Sequence, residues 1–193
     1  MACCPRPRRG DPFSFPTTHC YDEHLMRRTF LIAFLACLTV LAPAAPRNGL
    51  RPESVDHIIV LKSAHVMRLY DHEKLVREYH VALGLSPVGP KRRQGDNKTP
   101  EGEYTINLKN AHSQFHLSLR VSYPNAQDRE RARRLGVKPG GEIMIHGLPI
   151  QFAAIGARHR EHDWTWGCIA VTNPEIEEIW TLVPVGAKIE IRP

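Results

Sequence analysis

Two side chains near the C-terminal end of the chain have the chemistry of a nucleophile and its base. Cys168 follows Gly167, and His146 ends a short apolar run just before Gly147. A cysteine attacks as its thiolate, and a nearby imidazole can take the thiol proton and return it to a leaving group. Gly167 lets the chain turn tightly before Cys168, whose neighbouring backbone N–H groups are candidate donors to an oxyanion. These residues predict a thiol acyl-transfer site.

Two further histidines lie between these two residues in the chain and make zinc binding an alternative. His159 and His162 are three residues apart, and with His146 and Cys168 they offer the nitrogen and sulfur ligands that zinc accepts. They lack a tight ligand spacing, and arginines flank them, which favours an exposed polar loop. The sequence therefore predicts no metal and no cofactor, with a zinc hydrolase kept as an alternative.

The first 45 residues are interpreted as an N-terminal extension followed by a secretory signal peptide. Met26-Arg27-Arg28 precedes an apolar run from Phe30 to Ala42, which ends in Ala42-Pro43-Ala44. A basic start, an apolar run and a small-x-small site are the three parts of such a signal. The run is shorter than the about 20 residues of a membrane-spanning helix. Cleaved export to the periplasm or cell envelope is therefore favoured over an uncleaved membrane anchor or a chance apolar stretch.

Export would leave one cysteine in the mature protein. The five cysteines of the chain are Cys3, Cys4, Cys20, Cys37 and Cys168. The first four precede the predicted cleavage site, so Cys168 would have no disulfide partner in its own chain. A single thiol in an oxidising compartment is either a buried apolar side chain or a group kept for its reactivity.

The charge of the chain is moderately basic. The whole chain has a net charge of +6, and residues 46–193 carry 21 basic and 17 acidic side chains. Basic residues cluster at 91–93 and 129–134 without interleaved aromatic side chains or a nucleic-acid-binding motif. A solvated face or attraction to an anionic polymer is therefore favoured, and no nucleic acid partner is predicted.

The elements that must position the cysteine and the histidine are mostly short strands. Strands are predicted at 55–61, 65–70, 75–82, 102–108, 115–121, 143–146, 168–171 and 187–192. Short connectors at 62–64 and 71–73 predict an antiparallel meander. Helices are predicted at 125–135, briefly at 149–157, and after Asn173, whose side chain is expected to cap the last one. The pattern predicts one mainly β domain with a few helices, sandwich- or barrel-like, over residues 55–193, after a linker at 46–54.

One long segment without periodicity interrupts these strands. Residues 84–102 are rich in Gly and Pro and also carry Asp96 and Lys98. A loop of this length inside a compact domain is uncommon unless it binds something. A surface excursion is the structural alternative.

Three ordered motifs connect this loop with the cysteine and the histidine. They are Lys91-x-x-x-Gly95-Asp96-x-Lys98-Thr99-Pro100-Glu101-Gly102-x-Tyr104-x-Ile106, Ile145-His146-Gly147, and Gly167-Cys168-x-x-x-x-Asn173. Over about residues 55 to 192 the chain resembles the L,D-transpeptidase catalytic domain, also called the YkuD domain. The resemblance implies a β-sandwich-like catalytic fold and peptidoglycan chemistry. In that family a cysteine attacks the carbonyl of the L-centre that precedes a terminal D-residue of a stem peptide, releases the D-residue, and passes the acyl group to an amine.

By position in these motifs, the resemblance implies a role for each site residue. Cys168 is expected to be the nucleophile, His146 the general base and acid, and Gly147 the backbone partner that orients His146, with Gly167 in the turn before the cysteine. The expected substrate-binding residues are Asp96, Lys98, Thr99, Pro100, Thr165 and Trp166.

Two positions depart from the family's commonest pattern. Trp166 stands where a histidine usually precedes Gly-Cys, and Ala170 stands where an arginine usually follows. Without that arginine, no guanidinium at this position can pair bidentately with a substrate carboxylate. The chain resembles more closely a branch that lacks both residues and includes enzymes acting on peptidoglycan-linked bonds, such as those to a wall-attached protein. An endopeptidase or carboxypeptidase that uses water as acceptor, and a non-catalytic wall-binding module, are therefore the alternatives.

Overall fold

The computed structural model describes residues 54–193, whose strands form a single eight-stranded sheet. The strands are β1 (His57–Leu61), β2 (Val66–Asp71), β3 (Lys74–His80), β4 (Gly102–Ser113), β5 (His116–Val121), β6 (Met144–His146), β7 (Ile169–Ala170) and β8 (Lys188–Arg192). The helices are α1 (Ala126–Arg134) and α2 (Asn173–Leu182), with a 3-10 segment at Ile150–Glu161. The predicted signal peptide and the predicted linker up to residue 53 lie outside the described residues.

The sheet curls so that the segment after its first edge strand, β3, reaches its last strand, β7. Its order is β3-β2-β1-β8-β4-β5-β6-β7, and its first three strands form the predicted antiparallel meander. Beyond β3 the chain reaches β7, where the Ala82 N–H donates to the Ala170 carbonyl at 3.0 Å and the Ala170 N–H donates back at 2.8 Å. The prediction of a mainly β, barrel-like domain is confirmed.

The helix starts follow local capping chemistry, with one correction. Asn125 caps α1 as predicted, and its side chain accepts a hydrogen bond from the Asp128 N–H at 3.0 Å. The prediction that Asn173 caps α2 is wrong, because Thr172 is the N-cap residue. The N–H and hydroxyl of Thr172 both donate to Glu175 Oε2, at 2.9 and 2.7 Å.

The third predicted helix is a longer and less regular element. The brief helix expected at 149–157 is the 3-10 segment, which continues to Glu161 and has a non-helical break at Gly156 with φ of 53°. No helix among residues 54–193 is long and apolar enough to cross a membrane.

One apolar core holds the strands of the C-terminal half against α2. Ile145 of β6, Ile169 of β7, and Ile176 and Ile179 of α2 are all fully buried in it. Burying an aliphatic side chain of this size contributes about 1.5–3 kcal/mol. Strands β6 and β7, which flank the predicted site, are therefore fixed by packing on the face of the sheet opposite to the site.

Candidate active site

Parallel pairing of β6 with β7 brings the predicted base and nucleophile to adjacent strands. His146 pairs with Ala170, Ile145 pairs with Ile169, and Cys168 directly precedes Ile169. Side chains two residues apart on an extended chain point to the same face. Cys168 therefore lies diagonally across from His146, on the face of the sheet opposite to the buried isoleucines.

His146 is almost fully buried, and its neighbours fix its ring. Its Nδ1 lies 2.7 Å from the carbonyl oxygen of Gly147. A carbonyl only accepts hydrogen bonds, so Nδ1 carries the proton and Nε2 keeps the free electron pair. Burial lowers the pKa of His146 to about 4, against the opposing effect of the Gly147 hydrogen bond. The ring is therefore a neutral base at neutral pH.

Because Gly147 has no side chain, Asn173 can approach the backbone next to His146 and bind it. Asn173 Oδ1 accepts the N–H of Leu148 at 2.6 Å, and a Cβ atom on Gly147 would lie 2.5 Å from that oxygen. A side chain at position 147 would therefore displace Asn173. The side chain of Asn173 does not cap α2 and instead fixes the turn that presents the Gly147 carbonyl to His146.

Cys168 is half-buried and is the free cysteine of residues 54–193. Its Sγ lies 3.5 Å from the carbonyl oxygen of Glu142, to which the thiol donates, and no direct hydrogen bond joins it to His146 within the described residues. Burial raises the pKa of Cys168, while a Met144 backbone hydrogen bond and the positive charge of Lys91 oppose the rise. The resting pair is therefore a neutral thiol beside a neutral imidazole.

Thr165 shapes the turn that precedes the nucleophile. Its hydroxyl donates to the Cys168 carbonyl at 2.8 Å and accepts the N–H of Gly167 at 3.1 Å. Gly167 has φ of +123°, and a Cβ atom there would lie 2.5 Å from the Lys98 carbonyl. The Gly167 N–H is thus engaged by Thr165 and is not free for an oxyanion. Trp166, two residues before Cys168, is 81% exposed and offers an apolar surface to solvent.

The long loop has no regular structure from 85 to 101, as predicted, and two buried lysines hold it. Lys62 Nζ donates to two loop carbonyls, at 2.8 and 3.1 Å, and to Glu101 Oε1 at 2.7 Å. Lys91 Nζ lies 2.7 Å from Asp96 Oδ1, and both side chains are less than one-tenth exposed. Removing one member of such a buried pair costs about 3–5 kcal/mol. The loop is therefore an ordered wall of the domain.

Asp96 is bound by its own loop. Its carboxylate accepts the backbone N–H groups of Arg92, Arg93 and Lys98 at 2.7–3.2 Å, in addition to Lys91. Burial acts to raise the pKa of Asp96, but the Lys91 and backbone hydrogen bonds outweigh it and lower the pKa. The carboxylate is therefore charged and occupied, and its predicted substrate contact stays a prediction.

The other predicted substrate-binding residues of the loop differ in access. Thr99 and Pro100 are buried, and Thr99 Oγ1 accepts the N–H of Gly84 at 3.1 Å. Lys98 is partly exposed, and its ammonium group donates to the Val88 carbonyl. Thr99 and Pro100 thus build the loop, whereas Lys98 is partly exposed, and the substrate contacts of all three stay predictions.

His159 departs from the exposed loop that its flanking arginines predicted, whereas His162 is exposed. His159 is only 9% exposed, and its Nδ1 accepts the indole N–H of Trp164 at 3.4 Å. The 3-10 segment continues past the predicted helix end and turns this ring inward. Within residues 54–193 no group of three or more His, Cys, Asp or Glu side chains is placed to hold a metal ion. The zinc alternative therefore finds no ligand cluster there.

Three residues of the site were not among the sequence candidates. Phe115 lies between β4 and β5 and packs on His146 with ring centroids 4.4 Å apart. Trp164 contacts the same ring edge to face at 5.7 Å, and Lys62 holds the loop. A lysine just after an apolar strand and single aromatic residues are common in any domain. Only the fold shows that Phe115 and Trp164 pack on His146 and that Lys62 is buried.

The fold and the site together define a mainly β domain with a curled sheet that carries a cysteine and a histidine on one parallel strand pair. The family model of the L,D-transpeptidase catalytic domain, YkuD, matches residues 55–191. The chain therefore belongs to the L,D-transpeptidase catalytic domain family, as its motifs predicted.

Similar proteins are longer than this chain. A curated protein of Escherichia coli K12 named "Putative L,D-transpeptidase YafK" is 29% identical over 133 residues, which cover 66% of this chain and 46% of that protein. The solved structure of the helical cell shape determining protein Pgp2 of Campylobacter jejuni has a TM-score of 0.56 and 27% identity, covering 73% of this chain and 48% of that one. Bd1075 of Bdellovibrio bacteriovorus shares the fold, with a TM-score of 0.50 and 20% identity over 72% of this chain and 47% of its own. The chain thus spans about half the length of these relatives.

Proposed function

We propose that this protein is an exported L,D-transpeptidase that transfers acyl groups of peptidoglycan stem peptides through a thioester on Cys168. One observation carries the proposal: in a chain of the L,D-transpeptidase family, Cys168 and His146 share one face of the β6–β7 pair. The signal-peptide pattern before residue 46 supports export to the periplasm or cell envelope.

The first half-reaction forms the acyl-enzyme. The thiol turns from the Glu142 carbonyl toward Nε2 of His146, which takes its proton as Sγ attacks the carbonyl carbon of the L-centre. The tetrahedral intermediate collapses, the C–N bond to the terminal D-residue breaks, and His146 returns the proton to the leaving amine. The stem peptide remains as a thioester on Cys168.

The second half-reaction uses the same base. An acceptor amine loses a proton to Nε2 of His146 as it attacks the thioester carbonyl, and the departing sulfur of Cys168 takes the proton back. The Gly147 carbonyl stabilises the imidazolium that exists between these transfers, because it accepts the hydrogen bond of Nδ1. No step leaves an uncompensated charge on the buried pair.

Water is the alternative acceptor, which would make the enzyme an L,D-endopeptidase or carboxypeptidase. Ala170, which is fully buried, stands where a guanidinium commonly follows the family's cysteine, and this difference argues against an unchanged substrate pose. A wall-attached protein is then a further candidate substrate. The Pgp2 relative is named for helical cell shape, so a role in cell shape belongs to this proposal as well.

Incubation with purified sacculi and tetrapeptide-stem muropeptides tests the proposal, with products identified by mass. New cross-links in the wild-type protein and none with Cys168→Ala support transfer, and shortened or released peptides support hydrolysis. His162→Ala, at an exposed histidine of the same region, is the matched control. Equal products from wild type and Cys168→Ala would refute the thiol mechanism. Binding to sacculi without any product would indicate the wall-binding module, and activity abolished by a chelator would indicate zinc.

A further inference from the structure

We propose that His159 and Trp164 are positioning residues that hold the ring of His146 in its reactive orientation. The inference rests on the proposed function, in which His146 is the base. Neither residue is part of the three sequence motifs, and neither is expected to touch the substrate.

The ring of His146 is held between two aromatic side chains. Phe115 packs on it at a centroid distance of 4.4 Å, and Trp164 meets it edge to face at 5.7 Å with planes 70° apart. The Gly147 carbonyl fixes Nδ1, so the direction of Nε2 depends on the plane of the ring. The indole of Trp164 is one of the two aromatic contacts that restrict that plane, so its own orientation bears on the direction of Nε2.

His159 sets the orientation of the indole. The indole N–H only donates, so Nδ1 of His159 is the acceptor of their 3.4 Å hydrogen bond and Nε2 carries the proton. That buried Nε2 has no hydrogen-bond partner within the described residues. An unpaired buried donor costs about 1–3 kcal/mol. A leucine would fill the same volume without this cost, and what it would lack is the acceptor for Trp164.

The first turn of α2 supports His146 by two routes. Glu175 pairs with Arg160, the residue next to His159, and thereby ties the end of the 3-10 segment to the helix. Asn173 holds the Leu148 N–H and with it the turn that orients Nδ1. The helix thus fixes the Gly147 carbonyl through Asn173, and it fixes the segment that carries His159 through Glu175.

Replacement of His159 by leucine and by asparagine separates positioning from packing. His159→Leu removes the acceptor, and kcat should fall about ten- to a hundredfold with KM nearly unchanged, because the base is misoriented while the substrate surface is intact. His159→Asn places Oδ1 where Nδ1 lies and should restore most of kcat. His162→Leu, at an exposed histidine three residues away, is the matched control and should match the wild type.

The signal of the Trp164 indole N–H in a ¹⁵N–¹H spectrum reports the bond directly. It should move and exchange faster in His159→Leu and return in His159→Asn. If His159→Leu does not fold, Trp164→Phe, which keeps a ring but lacks the N–H, carries the test and should also lower kcat. Wild-type kcat in the folded variant, or a His159→Asn as impaired as His159→Leu, overturns the inference. Activity that survives Cys168→Ala would instead overturn the proposed function itself.

Discussion

Burial shifts the pKa values of Cys168 and His146 in opposite directions. It raises the pKa of the thiol and lowers that of the imidazole to about 4, and both shifts favour the uncharged form. In the proposed mechanism the pair therefore acts by general-base catalysis and not as a preformed thiolate and imidazolium. The motif predicted which two residues pair. Their protonation follows from burial, which the charge of Lys91, 77 positions before the cysteine in the chain, opposes at the thiol. The local sequence therefore did not predict it.

The acid limb of the pH profile of kcat/KM should lie near pH 4. His146 is a base only when neutral, and its lowered pKa keeps it neutral through pH 5 to 6, where an ordinary histidine of pKa about 6.5 is largely protonated. Initial rates of stem-peptide cleavage between about pH 3.5 and pH 8 check this, with a folding control at each pH. An acid limb centred between about pH 6 and pH 7 would contradict a buried, neutral base.

Replacing Lys91 by methionine should slow the alkylation of Cys168. The Lys91 charge lowers the thiol pKa, so its removal raises that pKa. The rate with iodoacetamide at about pH 8 should drop severalfold, because the thiolate is the reactive form. Lys138→Met, which removes an exposed charge, should react like the wild type. Equal rates for both variants would show that Lys91 does not act on the thiol.

At the scale of elements, α2 shows that the local sequence can predict where a helix lies but not which groups its side chains contact. Thr172 and Asn173 are both good capping residues, and sequence alone favoured the one beside Pro174. The Leu148 N–H decides between them, because it takes the side chain of Asn173 and leaves Thr172 to cap. The inward turn of His159 is likewise set by packing on Trp164, which a charged local sequence does not reveal.

Gly147→Ala should impair both folding and catalysis. The added Cβ would lie 2.5 Å from Asn173 Oδ1 and 2.9 Å from Ile176 Cγ2, so either the turn or α2 must move. We expect a loss of about 1–3 kcal/mol in the free energy of unfolding and a lower kcat, measured by urea denaturation and initial rates. Gly141→Ala, whose Cβ would meet nothing within 4 Å, is the control. A Gly147→Ala protein as stable and active as Gly141→Ala would refute this role of the turn.

At the scale of the whole molecule, the alternation of apolar and polar residues predicted the strands but not their order in the sheet. β8 ends the chain yet lies parallel to β1 and antiparallel to β4, and the segment after β3 meets β7 at Ala82 and Ala170. These pairings join residues more than 80 positions apart, and period-2 patterns carry no information about partners. Together with the bridge between Gly84 and Thr165, they build the site, because this bridge brings the turn before Cys168 against the ordered loop that begins at Gly84.

Acidification should destabilise the domain well before its carboxylates titrate. His146 has a pKa of about 4 in the folded protein and about 6.5 when unfolded. The unfolded chain therefore binds the proton first, and stability is lost as the pH falls from about 6.5 toward 4. Between pH 7 and pH 5 His146 should account for about 2 kcal/mol of this loss. Urea denaturation at both values should show a smaller loss for His146→Gln, and an equal loss in the two proteins would contradict the assignment.

The most direct test of the account is the mass of the intact protein during reaction with a purified tetrapeptide-stem donor. After rapid acid quenching, the wild-type protein should gain the mass of the donor without its terminal D-residue, and peptide mapping should locate the adduct on Cys168. Cys168→Ala should gain no mass and release no D-residue. Release of the D-residue by Cys168→Ala, or an adduct on any other residue, would contradict a thioester on Cys168 as the central intermediate.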